Sequence, residues 1–155
     1  MKKRYYVAYG SNLNIGQMRR RCPLARIVGT SEIKDYQLMF KGSGSGAYLT
    51  IEPKAGSVVP VAVWAVTEGD ERALDRYEGF PTFYYKKGLK LPVRGVNGGE
   101  TRILDTFVYI MHEDRELGMP TQYYVQICRE GYEAFSFDEA ALLDALDYTA
   151  KEMGL

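Results

Sequence analysis

The chain begins with a strand-forming run, Arg4 to Tyr9, that gives way without a spacer to Gly10-Ser11-Asn12, residue types that turn the backbone and aim its N–H groups outward. Asn14 to Arg21 then reads as a short helix stopped before Pro23. Between Arg26 and Lys41 the apolar positions are Ile27, Val28, Ile33, Tyr36, Leu38 and Phe40, and the last three alternate as in a half-buried strand. Gly42 to Gly46, a glycine-serine run, predicts a flexible hairpin loop. Ala47 to Glu52 and Val58 to Val66 predict two further strands, the second apolar on both faces and therefore central, with Pro60 near its start.

Glu68 to Glu78 has helical period, with Ala73, Leu74 and Tyr77 on one side and Thr67 as N-cap. Tyr84 to Val93 and Arg102 to Met111 read as strands joined through a turn at Asn97-Gly98. The last third is helical, and Ser136-Phe-Asp-Glu139 has the capping-box spacing, which places the start of the final helix at Ser136. There is no internal repeat, and strands and helices do not alternate as a doubly wound sheet requires. The expected fold is α+β, a mixed, mostly antiparallel sheet closing toward a small barrel with peripheral helices, formed as one domain over residues 1–155.

Composition narrows the functional classes. Lys plus Arg (20) balances Asp plus Glu (20), so no whole-protein field gathers nucleic acid or an anionic membrane. The one basic run, Arg19-Arg20-Arg21, has no interleaved aromatic platform and reads as a solvated helix face. Cys22 and Cys128 fit no metal-ligand spacing, and His112 is the single histidine, so neither a metal site nor a Cys-His nucleophile is expected. The apolar run behind Met-Lys-Lys-Arg stops at Ala8, too short for an export signal, and two unpaired thiols point to a reducing, cytoplasmic setting. The first loop lacks the dinucleotide and P-loop glycine patterns, and without G-x-S-x-G Ser11 is no elbow nucleophile.

A carboxylate is the better candidate. Glu78 ends a helix just before Gly79, where its charge faces the negative end of the helix dipole. Held in a pocket, it would have its pKa raised toward neutrality and become a usable proton shuttle; on the surface, it would be an ordinary glutamate. The tyrosine pairs Tyr84-Tyr85 and Tyr123-Tyr124 could supply neutral donors around it, or simply pack.

Tyr9-Gly10-Ser11-Asn12-Leu13 after the first strand, the Ala-Tyr-Leu-Thr-Ile strand after a glycine-rich turn, and Leu74-Asp75-x-x-Glu78-Gly79 with Tyr85 beyond it together resemble the gamma-glutamylcyclotransferase family, including its AIG2-like members. Pro120-Thr-Gln-Tyr123 and the helix from Tyr124 to Gly131 are similar to that family as well, so the resemblance runs in order along nearly the whole chain. It implies a barrel-like sheet with a pocket floored by the Tyr9–Leu13 loop, and release of 5-oxoproline from a small-molecule gamma-glutamyl substrate without a cofactor. By position Glu78 would be the general acid/base, and Tyr9, Gly10, Ser11, Asn12 and Leu13, with Tyr85 and Tyr123 in second rank, would bind substrate.

The chemistry suits this economy: the substrate's own alpha-amine is the nucleophile, so the protein need only fold the glutamyl chain and move a proton. The loop N–H groups, opening a helix near Asn14, would hold an anion, either the alpha-carboxylate or a developing oxyanion. Two rivals use the same pocket, a gamma-glutamyl amide hydrolase or acyltransferase and a non-catalytic gamma-glutamyl binding module. The compact connections leave the group attached to the gamma-glutamyl unit open, glutathione-like or a simpler amine.

Overall fold

A computed structural model describes residues 3–43 and 46–155. The elements are β1 (Arg4–Ala8), a 3-10 turn (Ser11–Leu13), α1 (Ile15–Arg21), β2 (Arg26–Ser43), β3 (Gly46–Val66), α2 (Glu68–Glu78), β4 (Tyr84–Gly95), β5 (Thr101–Met111), α3 (Gln122–Ala134) and α4 (Ala140–Glu152). The strands close into a barrel in the order β1-β3-β2-β4-β5. Every pairing is antiparallel except β1 with β5, where Tyr6 faces Phe107 and Val7 faces Val108. The expected mixed, mostly antiparallel barrel with helices outside it is therefore the fold.

The two strands read from Ala47–Glu52 and Val58–Val66 are one. Pro53, Lys54, Ala55 and Gly56 look like a break in sequence, but the turn chemistry is spent on a bulge. The β2–β3 ladder shifts register between Lys34 and Tyr36, Asp35 takes φ 62, and its carboxylate accepts from the Gly56 N–H at 2.9 Å. The ladder resumes beyond it, and β3 is central, paired with β1 on one side and β2 on the other. At the opposite end of that hairpin, the tip of the predicted glycine-serine loop, Gly44-Ser45, lies outside the described residues.

The final helix starts later than its capping-box spacing predicts. Ser136 instead sits at φ 56 in the turn that closes α3, with Phe135, Ser136 and Phe137 N–H groups bonded back to Gly131, Glu133 and Tyr132 carbonyls. Phe137 is drawn onto Phe135 and Tyr132, at ring distances of 5.6 and 5.8 Å, and this packing overrides the local cap signal. The helix opens at Ala140. Among the described residues no helix is long and apolar enough to cross a membrane.

Core packing fixes the first loop. Leu13 and Met18 are fully buried, and α3 lies so close over the 3-10 turn that a Cβ on Gly131 would stand 2.5 Å from the Leu13 Cβ. Only a glycine permits that approach.

Candidate active site

Asparagine chemistry sets the turn between β1 and α1. Asn14 caps α1 by accepting from the Gln17 N–H at 3.1 Å, while Leu13 and Asn14 N–H groups close the 3-10 turn onto Gly10 and Ser11 carbonyls. Among the described residues the N–H groups of Gly10, Ser11 and Asn12 have no backbone partner in this turn. The turn itself therefore presents free donors, and α1 opens behind it with Asn14 as its N-cap, as expected.

These donors border a cavity of about 260 Å³. Tyr6, Tyr9 and the Gly10-Ser11-Asn12 loop form one wall, Tyr48, Leu49, Phe83 and Tyr84 another, and Tyr77, Glu78, Tyr109 and Tyr124 complete it. Most of the tyrosine hydroxyls are already committed. Tyr9 donates to the Tyr109 carbonyl at 2.8 Å, Tyr84 to the Leu49 carbonyl at 2.8 Å, and Tyr109 to Asp75 at 2.6 Å. Asn12 donates to the Tyr6 oxygen at 3.0 Å, and the Leu49 N–H to the Tyr124 oxygen at 3.0 Å. Burial, reinforced by the Glu78 charge, holds the Tyr6, Tyr9 and Tyr84 hydroxyls well above the usual phenol range, so they are neutral.

Glu78 is placed by the end of α2. The helix is opened by a reciprocal Thr67–Asp70 capping box and ended by Gly79 in the left-handed conformation, φ 63 and ψ 38, which turns the chain away directly after Glu78. The Glu78 side chain lines the cavity, and among the described residues it makes no hydrogen bond or ion pair. Burial pushes its pKa from 4.5 to about 8, and the Arg21 guanidinium pulls the other way. The residue as a whole is only half-buried, because its carboxyl faces the cavity and not the closed core. An acid that can gain or lose a proton near neutrality and has no internal partner is free to exchange that proton with a bound molecule.

Of the binding residues expected from sequence, Tyr9, Gly10, Ser11 and Asn12 line the cavity with Glu78, and three do not. Leu13 points into the core beneath the turn. Tyr85 faces away, donating to Glu113 at 2.5 Å and packing on His112, and Tyr123 is 74% exposed. Their neighbours Tyr84 and Tyr124 take the positions instead. Successive strand residues face opposite sides, so only one of Tyr84 and Tyr85 can enter. On α3, Tyr124 shares the buried stripe of Cys128, Gly131 and Tyr132, a helical period readable from sequence that singles out Tyr124 over Tyr123.

Arg21 is the other correction. Arg19 and Arg20 are exposed as expected, but the Arg21 guanidinium lies 3.4 Å over the Tyr77 ring and donates to Asn12. No signal within the basic run separates it from its neighbours.

The sequence profile of the family described as gamma-glutamyl cyclotransferase, AIG2-like, matches residues 6–134. The chain belongs to the AIG2-like gamma-glutamyl cyclotransferase family. No curated protein sequence matches it. Among solved structures it is similar to one titled gamma-glutamyl cyclotransferase, with 23% identity and a TM-score of 0.77 over 97% of this chain and 86% of the other. An uncharacterized human protein gives 24%, 0.77, 97% and 86% for the same measures. An AIG2-like protein from mouse gives 20%, 0.58, 79% and 90%. At these identities the structural likeness is one of fold, and in this member of the cyclotransferase family the site rests on its own geometry.

Proposed function

We propose that this protein releases 5-oxoproline from a gamma-glutamyl amine or peptide, with Glu78 as the general acid/base. The observation that carries the proposal is an unpartnered carboxyl, titrating near neutrality, in the same cavity as the free N–H groups of the Gly10–Asn12 turn.

In this reading the turn N–H groups hold the substrate's alpha-carboxylate, and the neutral aromatic walls fold the glutamyl chain into the cavity. The alpha-ammonium passes a proton to ionised Glu78, and the freed amine attacks the gamma-carbonyl carbon. A five-membered lactam bond forms as the amide C–N bond breaks. Glu78 returns its proton to the departing nitrogen and then relays to it the second proton shed by the attacking nitrogen, so that one gamma-glutamyl amide becomes one 5-oxoproline and one ammonium product, with Glu78 ionised again. No side chain acts as nucleophile, which fits a cavity whose Ser11 hydroxyl is engaged with Tyr77 and whose lining contains no cysteine, Cys22 and Cys128 being buried elsewhere with their thiols pushed up to about 12.

The test is product identity with the wild type and Glu78→Gln across gamma-glutamyl amines, amino acids and glutathione. Cyclisation predicts 5-oxoproline from the wild type and a loss of about 10²–10⁴-fold in the variant, the usual worth of a positioned acid/base. Free glutamate as the product, or a fully active variant, would overturn the proposal.

A further inference from the structure

Arg21 closes a ring of contacts that the cyclisation chemistry does not by itself require. It ends α1, yet its side chain leaves the exposed face of Arg19 and Arg20 and crosses to α2, where the guanidinium lies flat on Tyr77 at 3.4 Å. One of its terminal nitrogens donates to the Asn12 side-chain oxygen, and the other donates to Gln17 at 3.2 Å. Asn12, with its oxygen occupied, turns its amide N–H to the Tyr6 oxygen at 3.0 Å. Tyr77 in turn meets the Ser11 hydroxyl at 2.9 Å. The ring Arg21–Asn12–Ser11–Tyr77–Arg21 thus joins the anion-holding turn to the last helical turn of α2, one residue before Glu78.

The charge is also singular. The groups that face Glu78 are Tyr6 and Tyr9 from β1, Tyr77 from its own helix, Tyr84 from β4, Tyr124 from α3 and Arg21 from α1. The tyrosines are neutral, which leaves Arg21 as the one cation among these. Two other acidic residues of the same helix, Asp75 and Glu71, both pair with Lys86, at 2.8 and 2.6 Å.

We propose that Arg21 is a positioning residue for this site: it clamps the Ser11–Asn12 turn to the helix end that bears Glu78 and is the counter-charge for the ionised form of that carboxylate. The proposal deepens the acid/base reading of Glu78 and concerns how readily the proton leaves it. Arginine fits because its plane stacks on Tyr77 while its edge donates to two acceptors at once, which an ammonium cannot do.

The decisive measurement is independent of turnover. With ¹³C-labelled glutamate side chains, and Glu78→Gln to assign the resonance, the Glu78 carboxyl is titrated in the wild type, Arg21→Gln and Arg21→Lys. The midpoint is expected to rise by about one unit in Arg21→Gln, a tenfold fall in the ionised fraction, and by less in Arg21→Lys, which keeps the charge. Should Arg21→Gln fail to fold, a rise in Arg21→Lys alone sustains the proposal. A midpoint unmoved in the folded variants would overturn it, even if their activity fell. If the family reaction is found in the wild type, the acid limb of kcat/KM should move with the NMR midpoint; a raised KM with an unmoved limb would mark Arg21 as a substrate-anion contact and likewise overturn it. Absence of 5-oxoproline in the wild type would defeat the catalytic reading while leaving the titration to stand.

Discussion

The hydroxyls of Ser11 and Tyr77 lie 2.9 Å apart across 66 residues of sequence. That contact joins the two motifs on which the site depends, the turn after β1 and the end of α2, and brings free N–H donors and the Glu78 carboxyl to one cavity.

In the proposed cyclisation, proton removal from the substrate ammonium needs Glu78 ionised. With the Glu78 pKa pushed up to about 8, the acid form predominates at neutral pH. We expect kcat/KM to rise about tenfold per pH unit below that value and to level off above it, as for a base in the free enzyme. A pH profile between 5 and 9.5 checks this; a plateau reached by pH 6 would place the essential group elsewhere.

The same shift has a stability signature of definite sign. Between about 4.5 and about 8 folded Glu78 keeps a proton that the unfolded chain has lost, so this group's contribution to stability falls as pH rises through that window. An undiminished shift would correspond to about 5 kcal/mol. With solvent reaching the carboxyl through the cavity, about 1–3 kcal/mol is expected. Denaturant unfolding of wild type and Glu78→Gln at pH 4.5 and pH 8.5 should therefore show the variant gaining that much relative stability at the higher pH.

Neighbouring tyrosines offer an internal comparison. Tyr84→Phe and Tyr124→Phe each withdraw a buried hydroxyl from the Leu49 backbone at the cavity wall. Each should cost about 1–2 kcal/mol in stability and lower kcat/KM severalfold. Tyr123→Phe, on an exposed side chain, should leave both within about 0.5 kcal/mol and twofold of wild type. Chemical denaturation and 5-oxoproline assays on the three variants would reveal any reversal of this order.

Gly131 tests how firmly α3 sets the turn. A methyl group there would meet the Leu13 Cβ at 2.5 Å, the Leu13 carbonyl carbon at 2.6 Å and the Asn14 nitrogen at 2.7 Å, and backbone atoms cannot step aside as a flexible side chain can. Gly131→Ala should lose about 1–3 kcal/mol from overpacking and raise KM by displacing the Gly10–Asn12 donors. Thermal unfolding together with substrate titration would show both effects.

Local chemistry alone determined a good deal of this protein. The Thr67 cap, the left-handed Gly79 and the helical period between them fix α2 and put Glu78 at its last position. The alternating strands and the Gly-Ser-Asn turn were equally legible, because propensity and capping act over a few residues. The resemblance carried by the two motifs added the family. The joining of β3 across Gly56 and the late start of α4 were decided by tertiary contacts, the Asp35 bulge and the Phe137 packing, which overrode correct local turn and cap signals. The choice between adjacent tyrosines was decided by which face of a strand or helix meets the cavity. Arg21 shows the limit most plainly: three consecutive arginines are alike in sequence, and only the approach of α1 to α2 gives the third a ring to stack on and a carboxylate to balance.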